Sequence, residues 1–218
     1  MQELPKADDR RRLRGKESRQ TILQAAISCI ASRGLSNTTL DRVADGAGVS
    51  RALVVFHFKS KSGLLKDVLE FLGAGYSEGW DEIKKLDGAS TMEKLLQLLD
   101  YDVRFSTENP EFISAWHAFW GEAKGNLLYH ELSVPRDERY ARDTNQLIAT
   151  LIEEGGYDEN ELLPLQTGLT AMQFGLWVES HLNPGPDDYS KGMDAVRLFL
   201  SKTFPKHPLP PAVSASTI

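Results

Sequence analysis

The chain has 218 residues, 41% of them hydrophobic and 26% charged, with a formal net charge of −6, the profile of a globular protein of one large or two small domains. No apolar run approaches the ~20 residues of a membrane span, and the N-terminal stretch lacks the apolar segment of a secretory signal. The single cysteine, Cys29, excludes an intramolecular disulfide framework and a cysteine-based zinc cluster; a cytoplasmic protein with no membrane association is expected.

The charge is unevenly placed. Residues 1–66 carry 13 Lys and Arg against 6 Asp and Glu, and the remaining 152 carry 12 against 25, so a stretch of net +7 precedes one of −13. That asymmetry points to a polyanion partner for the first part. Residues 1–16, with Arg10, Arg11, Arg12, Arg14 and Lys16, read as a flexible basic arm. Residues 17–33 then place Ile22, Leu23, Ala26, Ile27 and Ile30 on one helical stripe, and Gly34 stops it. Thr38, with Asp41 three residues later, fits a capping-box-like start for a short second helix whose apolar face is Leu40, Val43, Ala44 and Ala47. Gly48 ends it and Ser50 caps a third helix over 51–57, with Val54 and Phe58 as its buried pair. After a polar turn at 59–63, Leu64, Leu65, Val68, Leu69 and Leu72 begin a fourth helix. Two short helices joined by a tight glycine-containing turn behind a supporting helix make a helix-turn-helix over 17–73.

Beyond residue 74 the chain turns acidic and aromatic. Helices are expected over 91–108, 110–123, 126–154, 159–182 and 187–204, forming a larger helical domain over 74–204. The Pro- and Ser-rich residues 205–218 read as a disordered tail. The fold class is all-α.

The stretch from Thr38 through Asp41, Arg42, Val43, Ala44, Gly48, Val49 and Ser50, followed by Phe58, Lys59, Ser60, Lys61, Leu64 and Leu65, resembles the TetR family of bacterial transcription regulators. The resemblance implies a regulator, in most cases a repressor, that binds a double-stranded, pseudo-palindromic DNA operator as a homodimer and is released by a small-molecule effector. On the third helix, with Val54 and Phe58 turned inward, Arg51, Ala52, Leu53 and Val55 face outward beside the capping Ser50. Arg51 suits guanine through two parallel bonds to O6 and N7, and the apolar side chains suit thymine methyls. Thr38, Thr39 and the free amides of the second helix suit a phosphate. His57 and Lys61 match family positions that touch the DNA backbone, and Arg42 adds to them. Family members often carry Tyr at Val55 and His or Trp at Phe56, so for these two residues a reading surface and a core role both stay open.

The C-terminal half, through Ala115–Trp120, Leu128–Leu132 and Gly175–Trp177, resembles BetI-type regulators, which respond to choline. Phe112, Trp116, Phe119 and Trp120 on one helix, with Phe174 and Trp177 on another, can surround a quaternary ammonium through cation–π attraction, with Glu122 or Glu179 as counter-charge. The same aromatics at helical spacing can equally be core. The resemblance also implies dimerisation through the last two helices. Leu162, Leu165, Leu169, Met172 and Leu176, with Val196, Phe199 and Leu200, offer the stripe, and Gly168 and Gly175 permit close approach.

His117, His130, His181 and Glu122 lack ligand spacing, so no metal is expected. No P-loop, nucleophile elbow or HExxH motif occurs, so neither an enzymatic activity nor a cofactor is expected. Two other readings stay open here: an all-helical small-molecule-binding protein, and an interaction module docking through residues 53–56, neither reading DNA sequence.

Overall fold

A computed structural model describes residues 7–125 and 127–211, with side chains from Arg12 onward. Every regular element among them is helical: α1 (Ala7–Asn37), α2 (Leu40–Ala47), α3 (Arg51–Phe58), α4 (Lys61–Lys84), α5 (Thr91–Glu108), α6 (Pro110–Gly121), α7 (Leu127–Leu132), α8 (Val134–Gly155), α9 (Leu162–Leu182) and α10 (Asp188–Thr203), with single 3-10 turns at Ala123–Gly125 and Glu159–Glu161. No described helix is long and apolar enough to cross a membrane.

The chain divides into two compact units, one of Met1–Ala74 with Glu111–Ser133 and one of Gly75–Pro110 with Val134–Ile218. The segment 111–133 lies inside the stretch that the sequence assigns to the larger domain, yet it packs with the first unit. The Phe71 and Phe112 rings meet at 6.1 Å, and the Ser28 hydroxyl donates to Glu111 at 2.7 Å.

In the first unit, α1 buries Ile22, Leu23, Ala26, Ile27 and Ile30, the stripe read from the sequence. It extends N-terminally to Ala7, so residues 7–16 continue a helix where a flexible arm is expected. This stretch contains no proline, and its Arg and Leu residues have high helix propensity; residues 1–6 lie outside the described residues. Gly34 breaks the helix at φ 76°, ψ 168°, a conformation nearly reserved for glycine. Gly48 closes α2 in the left-handed region at φ 64°, and its N–H reaches back to the Ala44 and Asp45 carbonyls. That left-handed cap turns the chain sharply enough for α3 to begin three residues later.

In the second unit, α5, α8, α9 and α10 enclose a core that includes Leu95, Leu99, Val103, Ile148, Leu151, Leu169, Val196, Leu200 and Phe204. Ser90 and Glu93 form a reciprocal capping box at the start of α5. The single helix expected over 126–154 is two: Pro135 supplies no N–H and crowds the carbonyl four residues back, so α7 ends at Leu132 and α8 starts at Val134. Part of the expected disordered tail is placed. Lys206 N–H donates to the Tyr157 hydroxyl, Leu209 packs on the core, and Arg197 donates to the Pro210 carbonyl. Residues 212–218 lie outside the described residues.

The leucine stripe assigned to a dimer interface faces inward. Leu169 is 1% exposed, and Leu162, Leu165, Met172 and Leu176 pack against the same core, as do Val196, Leu200 and Phe199. The open face of α9 carries Leu163, Thr167, Thr170 and Phe174, with Leu182 at its end. Helix α9 is apolar nearly all round, so its opposite stripe is the one that the core of the unit takes.

Candidate nucleic-acid interface and aromatic site

Ser50 starts α3 by accepting the Leu53 N–H at 3.2 Å. Val54 and Phe58 are buried at 0% and 3% exposure, which sets the rotation of the helix and turns the opposite side outward. That side presents Arg51, Ala52 and Phe56, flanked by the partly exposed Leu53, Val55 and His57. Phe56, left open by the sequence, is 67% exposed, and the Lys59 ammonium lies 5.3 Å from its ring centroid. Its place on the open side follows from spacing: Ala52, Val55, Phe56 and Lys59 stand at i, i+3, i+4 and i+7, one face of a helix. Arg51 is held by Asp41 of α2, Nε to Oδ1 at 3.1 Å, with both side chains mostly exposed. Such a surface pair is worth about 0–1 kcal/mol, little enough for a base edge to replace.

The backbone-contacting set divides. Thr39, not Thr38, caps α2, accepting the Arg42 N–H at 3.3 Å. Thr38 is fully buried and its hydroxyl donates to the Gly34 carbonyl at 2.9 Å, so it is withdrawn from any phosphate by the kink that Gly34 makes. Lys61 is also committed inward: its ammonium donates to the Leu35 and Ser36 carbonyls at 2.7 and 3.1 Å. The Leu35 carbonyl also accepts the Thr38 N–H at 3.2 Å; both carbonyls lie at the end of α1, and a lysine is a fitting partner for such a helix end. Arg42 is exposed, with its guanidinium donating to the Asn37 carbonyl. His57 is held below its ordinary value of 6.5, chiefly by burial and then by the positive charges of Arg19 and Lys59, so it is mainly neutral at pH 7.

The aromatic set falls in both units. Phe112, Trp116, Phe119 and Trp120 belong to α6 in the first. Phe119 is fully buried and Trp116 is 2% exposed, so both rings pack in the interior of the first unit. In the second unit Phe174 is 54% exposed on the open side of α9, away from the buried cluster on which Trp177 sits. There Trp177 stacks on Phe105 at 6.2 Å and meets Tyr76 edge-on at 5.5 Å, and Tyr140 meets Tyr76 at 5.0 Å.

Among these rings lies a carboxylate that the sequence reading missed. Asp102 is 4% exposed; it accepts from the Tyr76 hydroxyl at 2.7 Å and from Gln173 Nε2 at 3.3 Å. Burial lifts its pKa to about 6, although the Tyr76, Trp177 and Gln173 side chains hold it down by hydrogen bonding. No Lys, Arg or His among the described residues forms an ion pair with it. The signal was available: Leu95, Leu99, Asp102 and Ser106 follow one another along the buried face of α5, so a charged residue stands at a core position. Glu122 and Glu179, the acids proposed from sequence, are exposed, and they accept from Ser36 and Asn183.

A capped pair of short helices over a supporting helix, with an outward basic and apolar face, defines a helix-turn-helix regulator of all-α architecture. The chain belongs to the TetR family of bacterial regulatory proteins: that family's model matches residues 22–68, and a model of the BetI-type transcriptional repressor C-terminal domain matches residues 91–205. The BetI transcriptional regulator of Escherichia coli K12 is 21% identical over 193 residues, covering 86% of this chain and 94% of its own. A transcriptional regulator from Pseudomonas aeruginosa PAO1 superposes with a TM-score of 0.74 at 20% identity, covering 87% of this chain and 91% of its own. One from Saccharomonospora viridis, solved in complex with choline, superposes at 0.73 and 22% identity, covering 85% and 96%. The matching family models are those of transcription regulators, and this chain is one.

Proposed function

We propose that this regulator is a repressor that binds a pseudo-palindromic operator as a homodimer and leaves it when a cationic effector of the quaternary-ammonium class binds. The observation that carries the DNA reading is the outward face of α3, with Arg51, Ala52, Val55 and Phe56 presented by the buried pair Val54 and Phe58. A major groove about 12 Å wide admits such a helix. Arg51 reads guanine, and Ala52, Leu53, Val55 and Phe56 supply apolar contact to thymine methyls. Ser50, Thr39, Arg42 and His57 meet the backbone.

Dimerisation uses the open face of α9, Leu163, Thr167, Thr170 and Phe174, together with the exposed Leu198 of α10. Two copies place their α3 helices on half-sites about 34 Å apart, or a multiple of it.

The effector site is the aromatic cluster around Asp102. A carboxylate buried without a cation is costly, and a quaternary ammonium brings the missing charge to ring faces that attract it. The choline held by the Saccharomonospora neighbour supports that ligand class. Effector binding shifts the dimer toward a spacing that no longer fits the groove. A coupling of about 1–3 kcal/mol weakens operator binding about 5- to 150-fold, and the operator weakens effector binding by the same factor.

Selection of bound sequences from random fragments, with the purified protein, tests the reading. A palindrome is expected to emerge, and Arg51→Ala to weaken it by about 1–3 kcal/mol per half-site while relaxing one base position. If a dimer neutralises about eight phosphates, log K falls against log salt with a slope near −7. Binding that is salt-sensitive but enriches no sequence would overturn it.

A further inference from the structure

The second unit contains a cavity of about 650 Å³ between the C-terminal part of α4, α5, α10 and the returning residues 210–211, within the size range of organic-ligand pockets. Its apolar walls include Ile83, Leu96, Tyr101 and Met193, and Arg104 and Arg197 also line it.

The two arginines differ in what they have left to offer. Arg104 is already neutralised: it pairs with Asp100 at 3.2 Å and Glu108 at 3.6 Å, and it donates to the Tyr189 hydroxyl at 2.8 Å. Arg197 is partly buried and donates to the Pro210 carbonyl. No carboxylate among the described residues lies within ion-pair distance of it. Its planar fork therefore keeps donors and a full charge beside an apolar wall.

The acids around the cavity do not fill that role. Glu93 is held by the Ser90 N–H and hydroxyl at 2.7 and 2.8 Å, and Asp100 by Arg104 and Tyr189. Asp194, one turn before Arg197 on α10, is exposed and unpaired with it.

We propose that this cavity is a second small-molecule site, separate from the aromatic cluster, that takes an amphipathic carboxylate. The carboxylate seats on Arg197 in the two-bond geometry that guanidinium groups favour, and the hydrocarbon body lies over Leu96, Met193, Tyr101 and Ile83. Seating it competes with the Pro210 carbonyl for the same guanidinium, so occupancy loosens the returning C-terminal strand of chain from α10.

The test is calorimetric titration of the full-length protein with decanoate, with 1-decanol as a neutral probe of the same chain length. Decanoate is expected to bind. Arg197→Gln is expected to weaken it roughly 10- to 100-fold, the range for a lost charge-assisted bond, while leaving 1-decanol binding unchanged. Met193→Phe, which fills the cavity without altering charge, is expected to weaken both probes. The proposal is overturned if decanoate fails to bind up to its solubility limit. It is also overturned if Arg197→Gln binds decanoate as well as the parent does, or if the parent binds 1-decanol as tightly as decanoate. Choline binding by the same samples reports separately on the Asp102 cluster.

Discussion

Replacing Phe56 with alanine separates recognition from folding. The side chain leaves 67% of its surface open on the outward face of α3. An aromatic side chain carries about 150–250 Å², so ~130 Å² stands free to be covered by DNA. At about 25 cal/mol per Å² that coverage is worth up to ~3 kcal/mol per half-site. A third of that ceiling, counted twice in a dimer, lowers operator affinity about 30-fold. Folding should scarcely register the change, because substitutions on an exposed surface stay within about 0.5 kcal/mol. Phe58→Ala is the control: that ring is 3% exposed, and removing it costs about 3–5 kcal/mol of stability. Fluorescence anisotropy on the selected operator and thermal melts of the free proteins give both quantities. Unchanged operator affinity in Phe56→Ala, or a melting loss matching that of Phe58→Ala, refutes the assignment.

Three further outcomes are expected. Asp102 titrates at about 6 in the folded chain against an ordinary 3.8, so its contribution to stability is fully present below pH ~4 and is lost as pH rises through ~6, by about 3 kcal/mol. Asp102→Asn should raise stability at pH 8 and flatten that dependence in urea melts, while abolishing choline binding; a variant that is less stable at pH 8 contradicts the account. His57, held below 6.5 in the free protein, gains from a phosphate in its charged form. Operator affinity should therefore rise as pH falls through the bound-state pKa and level off below the free-state one, a response that His57→Gln should remove in anisotropy titrations. Leu163→Asp and Phe174→Asp, both at exposed positions on α9, should yield monomers by sedimentation and weaken the operator complex; dimers that persist in both place the interface elsewhere.

Much of the architecture was legible because its signals are local. Gly48 and Ser50 fix the turn between α2 and α3 through backbone conformation and a single capping bond, and the spacing of Val54 and Phe58 sets which way α3 faces. Those few residues also carry the family pattern, which is why the helix-turn-helix could be read before any contact was known. The break at Pro135 is a local signal as well, one that the expected continuous helix over 126–154 overlooked.

Most of the remaining features depend on partners distant in sequence. Thr38 and Thr39 are chemically alike, and only the chain path set by the Gly34 kink makes one a buried donor and the other a cap. Lys61 has the charge for a phosphate, but the carbonyls of Leu35 and Ser36, about a helix length earlier, claim it. On α9 both faces are apolar, so periodicity could not choose between Leu169 and Phe174 for the core; packing against α5, α8 and α10 made the choice. Asp102 draws its chemistry from Tyr76 on α4 and Gln173 and Trp177 on α9. The sequence alone determined the all-helical class, the turn from α2 to α3 and the direction of the recognition face, because these follow from residues within a turn or two of each other. Tertiary structure decided which polar groups remain free to meet DNA or ligand, because that depends on burial and on partners that only the folded chain brings together.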